Sequence, residues 1–113
     1  MTSAPDFLFG KLGYSLALGL RDRKPDTLKI LKDPKIESWA RRDFGASYYV
    51  AEAYAAIGEN DDVLDWLEHA VGLGFLNYPF LNEINPVLAS IRAEPRFKAL
   101  MERVRREWRQ FEA

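Results

Sequence analysis

The chain has 113 residues, 48% hydrophobic and 29% charged, with three Trp, five Tyr and seven Phe; this is one domain's worth of chain, with enough apolar area for one packed core. It contains no cysteine, so disulfides, cysteine nucleophiles and thiolate metal sites are excluded while the redox compartment stays open. The net charge of -1 hides three blocks: nine Lys or Arg against five acids in residues 1–42, none against eight in 43–91, and seven against four in 92–113. Such alternation either draws neighbouring segments together or leaves an acidic face for a basic ligand.

Ser3-Ala4-Pro5-Asp6 is a helix start, and a first helix is predicted to run to about Arg21. Its apolar residues Phe7, Leu8, Phe9, Leu12, Leu16, Leu18 and Leu20 nearly encircle it, which predicts cover on more than one side. Gly10, Gly13 and Gly19 each cost roughly 1 kcal/mol in a helix interior, and close approach of a neighbouring helix is the expected reason for them. The run Leu12 to Leu20 is too short to span a bilayer, and it lacks the flanks of a signal peptide. No membrane partner and a cytoplasmic location are therefore expected.

Pro25 opens a short second helix with Leu28, Ile30 and Leu31. Asp33-Pro34 opens a third, which leans on the core through Ile36, Trp39 and Ala40 and is expected to break near Asp43 to Ala46. Residues 47 to 75 then read as a helical hairpin. Val50, Tyr54 and Ile57 line one face of its first helix, and Gly58 stops that helix. Asn60 is the expected cap of the second helix, with Asp61 and Asp62 in its first turn. Val63, Leu64, Leu67, Ala70 and Val71 form its apolar stripe. The last helix has the strongest periodicity, through Phe97, Leu100, Met101, Val104, Trp108 and Phe111, with arginines on its other face.

The hairpin resembles the tetratricopeptide repeat, whose motif is W-x2-L-G-x2-Y followed by spaced small and aromatic residues and a proline. Tyr54 and Ala70 match outright; Val50 stands for Leu, Ala51 for Gly, Val63 for Ala and Leu67 for the aromatic, with Gly58 in the turn. Ser47 replaces the Trp and Phe75 the Pro. The tail, from Gly74-Phe75-Leu76 through Asn85-Pro86 to Glu94-Pro95-Arg96-Phe97, looks like the closing unit of arrays in bacterial signalling proteins. The resemblance implies an all-α fold of about six helices, stacked as antiparallel hairpins in a right-handed superhelical arrangement. One domain is expected over 1–113: degenerate helices in 1–42, the best-matching repeat in 46–75, and a closing unit with a capping helix in 76–113. Residues 1–42 carry no repeat signature of their own, and a degenerate hairpin from Phe7 to Leu31 is an extrapolation.

By the same resemblance, Tyr48, Glu52 and Ala55 point into a concave groove that binds a peptide or partner domain, with Glu52 suited to a basic group. The competing reading packs Tyr48 against the Trp39 segment. A structural cap or homodimerisation unit is the alternative function. Nucleic acid binding through the last helix is disfavoured by its interleaved acids and a pI near 5.8. His69 is the one histidine, Asp61, Asp62 and Asp65 lack the glycine and terminal glutamate of a calcium loop, and no serine sits in a nucleophile motif. No metal, cofactor or enzymatic activity is expected.

Overall fold

The computed structural model describes residues 4–74 and 86–112. Among the described residues it is all-helical, with six α-helices and no strand. The helices are α1 (Ala4–Leu20), α2 (Lys24–Leu31), α3 (Pro34–Ala40), α4 (Phe44–Ala56), α5 (Asn60–Gly72) and α6 (Pro95–Glu112); a 3₁₀ segment, Pro86–Ile91, precedes α6. The Ser3 start and the closing-unit motif between residues 75 and 85 lie outside the described residues, as do the side chains of Phe7 and Phe111.

Local chemistry explains most boundaries. Proline lies in the first turn of both α2 and α3, where its missing N–H costs no helical hydrogen bond. The Asp33 carboxylate accepts from the Lys35 N–H at 2.8 Å, and Asp43 accepts from the Ala46 N–H at 2.9 Å. Asp43 therefore starts α4 at Phe44, three residues earlier than the expected hairpin start at Ser47, and Gly45 lies inside that helix. Asn60 differs from its expected role. Glu59 holds the N-cap position without a side-chain hydrogen bond. Asn60 is the first helical residue, and its amide donates to Glu94 at 3.3 Å.

α1 and α4 end in the same way. The Arg23 N–H donates to the Leu18 carbonyl and the Asp22 N–H to the Gly19 carbonyl; 36 residues on, Glu59 donates to Tyr54 and Gly58 to Ala55. Both are Schellman turns, with the left-handed position taken by Gly58 in the second and by Asp22, at φ 60°, in the first. Lys24 and Asn60, which open α2 and α5, are also 36 residues apart. The burial pattern repeats with them: Ser15 with Ala51, Thr27 with Val63, and Leu31 with Leu67 are all inaccessible. At a spacing of 34, Val63, Trp66, Leu67 and Ala70 of α5 correspond to Phe97, Leu100, Met101 and Val104 of α6, all buried. Residues 1–42 thus contain a hairpin equivalent to the second one.

The two hairpins stack with their first helices parallel. Gly13 lies against Tyr49, and a Cβ on Gly19 would sit 3.1 Å from both Ala56 and Ile57. Close approach accounts for Gly19; a Cβ on Gly13 would make only ordinary contact, and one on Gly10 would meet nothing within 4 Å. α4 lies at the centre and contacts α1, α3, α5 and the 3₁₀ segment. Between α1 and α2, Thr27 donates to the Ser15 carbonyl at 3.1 Å, and Ser15 donates to the Leu12 carbonyl at 2.6 Å, so both buried hydroxyls are satisfied.

Two glycine-related predictions follow from the turns and the stacking. Asp22→Gly relieves a left-handed non-glycine residue and should stabilise the chain by roughly 1 kcal/mol in urea unfolding. Gly19→Val overfills the contact with α4 and should cost about 1–3 kcal/mol in the same measurement.

Candidate interaction surface

The repeat positions Val50, Ala51, Tyr54, Val63, Leu67 and Ala70 are all in the core, and Gly58 takes a positive φ of 77°. Ser47, where the repeat family carries Trp, is also buried; its hydroxyl donates to the Ala40 carbonyl at 2.5 Å and ties α4 to the end of α3. Trp66, absent from the predicted stripe, is buried as well. The Arg41 guanidinium lies 4.0 Å from its ring centroid. His69 donates through Nε2 to the Arg41 carbonyl at 2.6 Å, so the end of α3 is strapped to α5.

The residues expected in a groove are placed differently from one another. Tyr48 is 6% exposed and belongs to the core. Ala55 packs against the core with part of its surface open, and Glu52 is half-buried. They share a face of α4 with Phe44, which is 48% exposed in the first turn, while Tyr48 itself presents no open aromatic surface.

The charge blocks pair with one another. Lys24 of the first block bridges to Glu59. Arg96 of the last block reaches both Asp65 and Glu68 of α5, the latter at 2.7 Å through Nε. Hydrogen bonds to Glu68 and Asp65 raise the Arg96 pKa above its ordinary value, and the Lys24 hydrogen bond lowers that of Glu59. Asp62 shifts the other way, its carboxyl raised first by desolvation and then by neighbouring acids. Within α6, Arg103 pairs with Glu107 at 3.4 Å and Arg105 approaches Glu102 at 3.9 Å. Among the described residues no three His, Asp or Glu side chains gather where they could hold a metal ion.

α3 carries a different surface. Lys35, Ser38, Trp39 and Arg42 recur at spacings of three, one and three along α3 and its C-terminal turn, and with Pro34 they line a shallow depression of about 370 Å³. Lys35 and Arg42 are exposed, whereas Trp39 is half-buried and meets the Phe9 ring edge-on at 4.7 Å. Arg41 and Glu37 line the adjoining side with Pro34 and Ser38. A fixed indole between two cations can take an apolar side chain on its face while the cations hold carboxylates. Its signal is the spacing Lys35-x3-Trp39-x2-Arg42, which from periodicity alone looks like core packing.

Among the described residues, no helix is long and apolar enough to cross a membrane. No family model matches the chain, and no curated protein or solved structure is significantly similar to it.

Tyr54 provides a pH test of the core. Burial, and after it the carboxylates of Asp62 and Glu37, push its phenol from the ordinary 10.0 up to about 12. The folded state then holds the proton between about pH 10 and 12 while the unfolded chain releases it, so stability is full below pH 10 and falls through that window. Absorbance titration should show one phenol ionising late, and Tyr54→Phe should remove it. A second measurement tests the clamp: Arg96→Met should lower stability by about 1 kcal/mol in dilute buffer and by less in high salt, because the pairs are exposed.

Proposed function

We propose that the chain is a tetratricopeptide-like interaction module, non-enzymatic, which binds a segment of a partner protein. The observation that carries this reading is the recurrence of one helical hairpin at a spacing of 36 residues, followed by a helix of the same burial pattern at 34. The repeat family has a period of about 34 residues and uses its stack to present a binding surface. The Schellman turns, the buried small residues Ser15 and Ala51, and the parallel contact of α1 with α4 support the same reading.

With Tyr48 in the core, the surface best suited to a peptide is the basic, aromatic face of α3. Its ligand is an acidic segment with a central apolar residue, the reverse of the basic partner expected from Glu52. Glu37 beside the cations and the acidic α5 behind them favour discrete carboxylates over a continuous phosphate backbone.

A fluorescein-labelled ten-residue peptide of Asp and Glu around a central Leu tests this by anisotropy. The chain should bind it in a salt-sensitive manner, and the double variant Lys35→Glu, Arg42→Glu should weaken binding by about tenfold or more with an unchanged circular dichroism spectrum. Absence of binding to the wild type, or tighter binding of a ten-nucleotide single-stranded RNA through the same two residues, overturns the assignment.

A further inference from the structure

Ser15 and Ser47 each donate their hydroxyl to a backbone carbonyl, of Leu12 and Ala40 respectively. The exposed Ser38 hydroxyl is used differently: it accepts from the Arg42 guanidinium, Nη2 to Oγ at 3.5 Å, and among the described residues it donates to no group. A hydroxyl in that position keeps its proton for an acceptor outside the chain. Lys35 stands three residues before Ser38 and Arg42 four after, so a cation flanks the hydroxyl about one turn away on either side. Among the described residues neither cation forms an ion pair. The acids closest in sequence are placed elsewhere: the Asp33 carboxylate accepts from the Lys35 backbone N–H, and Glu37 lines the adjoining depression with Arg41, whose guanidinium lies over Trp66.

Two cations and one hydroxyl proton therefore open on a single depression beside the Trp39 indole. One carboxylate, with a single charge and two oxygens, leaves a cation unmatched. A phosphate monoester, with a charge of about -2 and three terminal oxygens, matches both cations and the hydroxyl together. We propose that the anion selected at this face is a phosphorylated side chain next to the apolar residue of the partner segment, seated over Ser38 between Lys35 and Arg42. This rests on the reading of α3 as the face that receives a partner segment, and it names the group that the face prefers. Ser38 is the specificity-determining residue, because the cations alone hold either kind of acid.

Anisotropy with two versions of the labelled peptide tests this, one with Glu and one with phosphoserine immediately before the central Leu. The phosphoserine peptide should bind about fivefold tighter or more at pH 7.5. Ser38→Ala should remove most of that gain and leave binding of the Glu peptide within about twofold, with an unchanged circular dichroism spectrum. The gain should also shrink as the pH falls through about 6, where the phosphate takes up its second proton. Equal binding of the two peptides, or a gain that survives Ser38→Ala, overturns the proposal while the peptide-binding face on α3 stands. Binding of neither peptide overturns both.

Discussion

The fold depends on one constraint, that α4 must be approached from several sides at once. Ala46, Ala51 and Ala53 are all fully buried, as is Ser47, so short side chains stand among the larger Tyr48, Val50 and Tyr54 of its buried surface. α5 closes on one side, α1 on another through its own Gly19, and α3 is held at the N-terminal end by Ser47. Buried residues occupy most of the circumference of α4, with the half-buried Tyr49, Glu52 and Ala56 on the remaining side, so its buried face is broad and not a narrow stripe. Close packing of this kind leaves little tolerance for added volume, which makes the small residues rather than the large ones the determinants of the stack.

Charge then decides which segments lie together. The central block has acids and no Lys or Arg, and its α5 acids meet Arg96 while Glu59 meets Lys24. These are exposed pairs, each of modest strength, but they bridge elements that are distant in sequence. Arg41 over Trp66 and the His69 bond to the Arg41 carbonyl do the same for α3 and α5. The alternating blocks thus bridge one another within the chain, and α3 adds the exposed Lys35 and Arg42 beside Trp39.

What could be read in the sequence is what local chemistry determines. Proline and aspartate at the starts of α2 and α3, Gly58 at the end of α4, and the stripe of α6 from Phe97 to Val104 act over a few residues, and each appears where its chemistry puts it. The first hairpin, an extrapolation from Phe7 to Leu31 in the sequence, carries no repeat signature because its repeat residues are chemically unlike those of the second. Ser15 and Thr27 fill positions that Ala51 and Val63 occupy, and their hydroxyls are made tolerable only by hydrogen bonds that form in the folded seam. Asp22 likewise hides a turn that glycine advertises in the second hairpin. Trp66 and Tyr48 fail for a related reason: periodicity gives a direction around one helix, and which directions are covered depends on helices elsewhere in the chain. Asn60, a good cap by composition, is drawn instead to Glu94 across the stack.

The two sides of the stack differ in how they meet solvent. α6 turns Lys98, Glu102, Arg103, Arg106 and Arg109 outwards, a charged exterior that gives another apolar helix nothing to pack against. α1 turns out Gly10, Tyr14, Ala17 and Leu20. In a stacked architecture each unit covers the one beside it, and the two outer sides here differ in chemistry, charged on α6 and small or apolar on α1. The side of α1 equivalent to the covered side of α4 carries Tyr14 and Leu20, 61% and 65% exposed, where α4 has the inaccessible Val50 and the half-buried Ala56.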